Sequence, residues 1–359
     1  MGTPEFAVAT LSRLVEGGYD VVCVVTQPDK PVGRHGSVLQ APPVKQYALE
    51  HGIPVLQPEK MRDPEFLDQL RSYHADLQVV VAFRMLPEVV WAMPPYGTFN
   101  VHASLLPQYR GAAPINWAII NGETQTGVTT FFLDHEIDTG RIILQRPFAI
   151  PDDADVEYVY DGLMHLGAQA AIDTIQLIQE HDGNPPTISQ DDYALSIKHD
   201  ELSITHSLQA KRAKLESALR IKNDDARENY ALRITHDGNP PTMSQDNYAL
   251  RIKHYALSSA PKIFKDTCKI DWSQPAKRVY DFIRGLSPYP GAWCSEHGGL
   301  KIYKTQKTPR PSDGAPGEWS VDSKHLYINC QDLQLELLEL QQNGKRRMQA
   351  RDFINGMRG

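Results

Sequence analysis

Cysteine is scarce in this chain. Four occur in 359 residues (Cys23, Cys268, Cys294 and Cys330), all far apart and none in a Cys-x-x-Cys pair. That excludes a disulfide framework and a cysteine-based zinc site, and it suits a reducing compartment. Long apolar runs are missing as well: none approaches the ~20 residues that a membrane-spanning helix needs, so no membrane association is expected. The first residues show no basic stretch leading into an apolar core, so no secretory leader is visible and a cytoplasmic location is expected. What remains is an ordinary globular composition, 41% hydrophobic and 23% charged, in a chain long enough for two domains.

Charge is present but uneven. The net charge is −7; residues 1–180 carry 11 Lys/Arg against 22 Asp/Glu, residues 181–257 carry 10 against 11, and residues 258–359 carry 16 against 11. An acidic first half with a basic final segment fits a protein of which one part meets a polyanion. Uneven scatter over solvated faces accounts for the same counts.

Hydrophobic periodicity divides the chain. Thr3 as N-cap and Pro4 at the first helical position start a helix carrying Phe6, Val8, Leu11, Leu14 and Val15, which Gly17-Gly18 ends. Val21–Thr26 and Leu77–Phe83 are short, nearly continuous apolar runs of the kind found in buried parallel strands. Between them, residues 27–43 form a long polar loop rich in proline and glycine, of a length that is usually either functional or disordered. Helices over Pro42–His51, the turn capped by Asp63, Glu88–Met93 and Ile115–Asn121 alternate with strands over Ile53–Leu56, Gly127–Leu133 and Arg141–Arg146, and Val156–Glu180 reads as a long amphipathic helix. This alternation predicts a doubly wound, mostly parallel α/β sheet. Ligands of such sheets bind beyond the carboxyl ends of the strands, where Phe83, His102 and Asp138 fall.

Residues 181–257 differ in character. The segment His181–His199 recurs 55 positions later as His236–His254 with three substitutions, and Leu202–Arg233 between the copies is charged enough for a solvated helix. Two copies are too few for a solenoid, so an inserted helical arm and a duplicated linker both fit. From residue 258 a second domain is expected. Ile270-Asp271-Trp272 leads into a helix over Pro275–Leu286, then short strands at Leu300–Tyr303, Glu318–Val321, Leu326–Asn329 and Leu333–Leu340 with Gly/Pro turns read as a small β-barrel.

The chemistry concentrates in the stretch from Thr98 to Pro114. Phe99 and Val101 alternate with Asn100 and His102, so an amide and an imidazole point the same way from one strand. An amide can donate to a developing oxyanion, a histidine can carry a proton, and a carboxylate such as Asp138 can orient that histidine. This set suits acyl transfer to an amine. On spacing alone, a structural histidine and a turn aspartate are the better reading.

Asn100-x-His102 with Ser104-Leu105-Leu106-Pro107, Arg110-Gly111-Ala112 and Asp138-Thr139-Gly140 resembles the signature of the folate-dependent formyltransferases. Met1-Gly2-Thr3-Pro4-Glu5-Phe6-Ala7 and Pro28-Asp29-Lys30-Pro31-Val32-Gly33-Arg34 narrow the resemblance to the branch whose acceptor is a charged tRNA. The likeness covers roughly residues 1–180 and 260–359, including the Pro288-Tyr289-Pro290 turn. It implies transfer of a formyl group from 10-formyltetrahydrofolate to the α-amine of methionyl-initiator tRNA. It places Asn100, His102 and Asp138 as the catalytic trio, Ser104–Pro107 along the folate, and Phe83, Met85 and Leu86 in the pterin pocket wall. Lys30 and Arg34 would contact the tRNA acceptor end. The C-terminal domain, with Lys345, Arg346 and Arg347, would be an OB-like barrel that meets the tRNA backbone. A monomer that uses no metal is expected.

The chain departs from that family pattern twice. The buried strand that precedes Gly2-Thr3-Pro4-Glu5-Phe6 in the family has no counterpart here, which predicts exposed sheet edges in a catalytic domain over 1–180. The linker over 181–257 is also much longer than the family's. Two rival functions follow: a formyltransferase acting on a small amine such as a glycinamide ribonucleotide or amino sugar, and a folate- or RNA-binding protein without activity.

Overall fold

A computed structural model describes residues 1–32, 38–194, 257–322 and 324–357. The second copy of the repeat, the expected charged helix Leu202–Arg233 and Arg34 lie outside the described residues. Chain contacts define two units, residues 1–188 with 259–359, and residues 189–258. The first unit carries the architecture below.

Its elements run in order as α1 (Glu5–Glu16), β1 (Val24–Val25), β2 (Lys30–Val32), β3 (Val38–Gln40), α2 (Pro43–Glu50), β4 (Val55–Leu56), α3 (Pro64–Ser72), β5 (Gln78–Val81), α4 (Glu88–Trp91), β6 (Thr98–His102), β7 (Arg110–Gly111), α5 (Pro114–Ile120), β8 (Gln125–Phe132), β9 (Ile142–Ala149) and α6 (Val156–Glu180). Local chemistry sets several ends. Asp63 accepts a hydrogen bond from the Glu65 N–H at the start of α3, and Asp155 accepts one from Tyr158 at the start of α6. At α1 the expected cap is corrected: Pro4 is the N-cap residue with no side-chain cap bond, and the Thr3 hydroxyl is buried without a hydrogen-bond partner among the described residues. Proline at that position holds the extended conformation that an N-cap requires, so Thr3 stands outside the helix.

β1 and β4 pair in parallel, as do β5 and β6, but β6–β8 and β8–β9 are antiparallel. The expected mostly parallel sheet is thus parallel over its first half and antiparallel over its second. For β8 and β9 the connection decides: a hairpin needs only a short one, whereas a parallel return needs a crossover, and residues 133–141 are too few for one. β6 is central and its Phe99 face is enclosed: Phe99 is 0% and Val101 3% exposed, while Asn100 on the other face is half-buried. Burying two such side chains contributes about 1.5–3 kcal/mol each. Helices α1 and α6 cover this face, with Phe6 meeting Tyr160 edge-on at 5.3 Å.

β1 and β5 are joined only at one end. Gly2 forms a parallel bridge with Val81, its N–H donates to Val25, and the Val81 N–H donates to the Met1 carbonyl. Alongside, a cavity of about 540 Å³ is lined by residues 21–24 on one wall, residues 77–79 on the other, and Leu11, Leu14, Ile175 and Ile178 from the helices. The expected strand Val21–Thr26 is therefore paired only at Val24–Val25. Burial pulls the Met1 α-amino group from its ordinary 8.0 down to about 6. That group donates to the Val79 carbonyl at 2.6 Å.

The remaining elements are β10 (Ser259–Ala260), α7 (Ala276–Arg284), β11 (Ala292–Cys294), β12 (Leu300–Pro311), β13 (Trp319–Val321), β14 (Leu326–Asn329), β15 (Leu333–Gln342), β16 (Met348–Gln349) and α8 (Ala350–Met357). β10 runs parallel to β7. The others build a six-stranded antiparallel sheet in the order β11-β12-β15-β14-β13, with β16 beside β15. Its end strands β11 and β13 do not pair with each other among the described residues. Ile283, Leu286, Ile302, Leu326 and Leu335 fill its core.

This β-rich region is fastened to the first half by polar contacts. The Asn116 amide donates to Gly285 O at 2.9 Å and the Trp117 indole to Pro261 O at 2.8 Å. Arg284 donates to Ala154 O and, at 2.8 Å, to Asp281 on its own helix.

Candidate active site

β6 presents Asn100 and His102 on the face opposite Phe99 and Val101, because side chains alternate along a strand. His102 is buried, with Nε2 2.9 Å from the Tyr109 carbonyl oxygen and Nδ1 3.9 Å from Asp138 Oδ2. A carbonyl can only accept, so Nε2 carries the hydrogen and Nδ1 is the nitrogen left to take up a proton. Among the described residues the Asn100 side chain makes no hydrogen bond.

Asp138 comes from the loop between β8 and β9. That loop is folded on Asp134, whose Oδ1 accepts from the Glu136 N–H and the Thr139 hydroxyl. Asp138 holds a left-handed backbone (φ 57°), and its Oδ2 accepts the Gly111 N–H at 2.9 Å. Two glycines make this closure possible. Gly111 has φ 124°, and an added Cβ would lie 2.5 Å from the Ala260 carbonyl oxygen; at Gly140 it would lie 1.7 Å from the Phe132 oxygen.

The segment Ser104–Pro107 leaves β6 and is clamped by residues that no motif points to. The Thr129 hydroxyl donates to Ser104 O at 2.7 Å and accepts from the Leu106 N–H at 3.0 Å. The Gln145 amide donates to both Leu106 O (2.8 Å) and Thr129 Oγ1 (2.9 Å). The Ser104 hydroxyl is itself committed to Gln108 O at 2.7 Å. Leu106 and Pro107 are buried and Leu105 is half-buried against Gly127. Thr129 and Gln145 lie on β8 and β9, and their side of each strand was readable only from alternation.

The other expected site residues lie elsewhere. Leu86 is buried and Phe83 half-buried in a cluster with Val25, Phe66 and Val90, while Met85 is 70% exposed. Lys30 is exposed on the β2–β3 hairpin, within the stretch expected as loop. Next to it Asp29 accepts from Gln57 and from Lys45 at 2.8 Å, and these bonds hold its carboxyl below the usual range. Lys345 and Arg346 are exposed in the turn between β15 and β16. Arg347 is ion-paired with Glu339 at 2.6 Å and lies 4.2 Å over the Tyr303 ring. Its charge is already partly answered.

A Rossmann-like N-terminal domain followed by a β-rich one is the architecture of the formyl transferases. Residues 1–175 match the formyl transferase family and residues 262–358 match its C-terminal domain. The chain belongs to the formyl transferase family. A methionyl-tRNA formyltransferase of Parabacteroides distasonis is 50% identical, with 100% of this chain and 94% of the relative covered. Another of that name, from Bacteroides fragilis, is 47% identical over 99% of this chain and 93% of its own length. Among solved structures, the Helicobacter canadensis N-formyltransferase in complex with folinic acid and dTDP-3-aminofucose superposes with a TM-score of 0.55 at 17% identity, covering 94% of this chain and 96% of that one.

Proposed function

We propose that this chain transfers the formyl group of 10-formyltetrahydrofolate to the α-amine of methionyl-initiator tRNA, in the cytoplasm and at the start of translation. The amine nitrogen attacks the formyl carbon, and the carbonyl electrons move onto oxygen. The Asn100 amide donates to that oxyanion, and preorganised donors of this kind are worth a factor of roughly 10²–10³ in rate. His102 takes the ammonium proton at Nδ1, and Asp138 stabilises the imidazolium. Collapse of the intermediate breaks the bond to the folate nitrogen, which receives the proton from His102. The products are formylmethionyl-tRNA and tetrahydrofolate.

The observation behind this reading is the state of His102: Nε2 is committed to Tyr109 O, and Nδ1 faces Asp138 beside an amide with no bond of its own among the described residues. In this reading the Ser104–Pro107 segment lines the folate, with Phe83, Met85 and Leu86 toward the pterin. Lys30 and Arg34 meet the acceptor end of the tRNA. The C-terminal sheet is read as an OB-like surface whose Lys345, Arg346 and Arg347 face the tRNA backbone. The decisive experiment is a formylation assay on charged initiator tRNA. Asn100→Ala and His102→Ala are each expected to lose roughly 10²-fold in kcat. Near-normal turnover in either removes the assignment. Catalytic efficiency is also expected to fall steeply with added salt, as phosphate contacts require. A flat response would favour a small amine acceptor.

A further inference from the structure

Tyr109 touches the site at one end and a carboxylate at the other. Its carbonyl receives His102 Nε2, while its hydroxyl donates to Glu123 Oε1 at 2.5 Å and accepts from Asn121 Nδ2 at 3.3 Å. The residue is 5% exposed and has φ 61°, a left-handed backbone that a bulky side chain adopts only when its surroundings impose it. Glu123 and Asn121 stand in the turn between α5 and β8, away from the reacting face. A hydrogen bond to a carboxylate is shorter and stronger than one between neutral groups. The ring is therefore held by its far end, and the backbone at the near end is held with it. Ser104, which takes the neighbouring Gln108 carbonyl, leaves the Tyr109 carbonyl to the histidine.

We infer that Glu123 is a positioning residue for His102: through Tyr109 it fixes the carbonyl that keeps the hydrogen on Nε2 and so keeps Nδ1 as the proton acceptor. The inference rests on the catalytic role assigned above to His102. If the Tyr109 carbonyl drifts, the neutral imidazole can place its hydrogen on Nδ1 instead, where it points at Asp138. That tautomer cannot take a proton from the incoming amine. Losing one intramolecular hydrogen bond changes such a balance roughly three- to tenfold.

The test uses the full chain labelled with ¹⁵N-histidine. The two neutral tautomers give distinct ring-nitrogen shifts, and the His102 signals are assigned by their absence in His102→Gln. The native protein is expected to show the Nε2–H pattern. Tyr109→Phe and Glu123→Ala are expected to add the Nδ1–H pattern and to lower kcat roughly three- to tenfold with KM for both substrates unchanged. Glu123→Gln still offers an acceptor oxygen and is expected to restore the native pattern, which separates positioning from loss of fold. A fall in kcat with an unaltered nitrogen pattern overturns the inference, as does an altered pattern with unaltered kcat. Normal turnover in His102→Ala would instead remove the catalytic reading, while the nitrogen pattern would still report on the Tyr109 contact.

Discussion

The Gly111 N–H donates to Asp138 Oδ2 at 2.9 Å, and the same glycine lies against the Ala260 carbonyl of the returning chain. One residue thus aims the carboxylate at His102 and accepts the strand that opens the C-terminal part. Gly111→Ala introduces a Cβ at 2.5 Å from that oxygen, at φ 124°. The β7–β10 pairing must open or the loop must turn. Strained positions of this kind cost roughly 1–3 kcal/mol. Denaturant unfolding is expected to register that loss, and formylation is expected to fall as well, because a turn of the loop takes the residue 111 N–H away from Asp138. Unchanged turnover would mean that Asp138 needs no such support.

Asp138→Asn isolates the charge. The amide oxygen can still accept from Gly111, so the loop is expected to keep its place and the melting temperature to move little. What disappears is the negative charge 3.9 Å from His102 Nδ1. An imidazolium formed during transfer is then unopposed in a buried site. A kcat loss of roughly 10²-fold at constant KM is expected, within the range of a general acid–base contribution. Equal loss in KM and kcat would point to a folate-binding role for the residue instead.

Much of this arrangement was legible in the residues. The long helix α6 runs over the expected Val156–Glu180 because its apolar face is continuous and Asp155 caps it. β14 keeps the expected Leu326–Asn329. The Asn100/His102 alternation survives because both neighbours of β6 enclose it. What was hidden depends on partners distant in sequence. Thr129 reaches Ser104 and Gln145 reaches Leu106, and nothing local in a run of threonines or a lone glutamine announces either contact. The β2–β3 hairpin was expected as loop because β3 is exposed throughout and so has no burial alternation. β12 extends to Pro311 rather than Tyr303, since register shifts after Ile302 and after Lys307 break the pattern of alternation.

Asp281 and Arg284, both on α7, form the most deeply buried ion pair among the described residues, and Arg284 ties the helix to the first half. Their side chains are 3% and 8% exposed, and Arg284 also reaches the Ala154 carbonyl at 2.8 Å. Removing Arg284 leaves Asp281 paired with Lys277 at 2.5 Å but strips the Ala154 carbonyl of its donor, and an unsatisfied buried group of this kind costs roughly 1–3 kcal/mol. Arg284→Met is expected to lower unfolding free energy by that amount. The double variant Asp281→Leu/Arg284→Met is expected to lose less than the sum of the two single variants, since each single variant removes the same ion pair. A double-mutant cycle by denaturant unfolding measures the coupling, and additive losses would mean the pair acts as two independent surface charges.

The amino terminus gives stability a pH dependence of defined sign. In the folded chain Met1 is pulled down to about 6 from its ordinary 8.0 by burial. Between those values the unfolded chain binds the proton more tightly than the folded one. Stability therefore rises as pH increases through this window and is lost as pH falls from 8 to 6. Two pK units correspond to roughly 2–3 kcal/mol. Histidines titrate in the same range, so the measurement is a difference between two proteins: the free α-amine and the same chain acetylated there. Unfolding free energy of the free amine is expected to climb with pH relative to the acetylated chain between pH 6 and 8. Parallel curves would show that the ammonium is solvated in the folded state, despite its contact with Val79 and its place between β1 and β5.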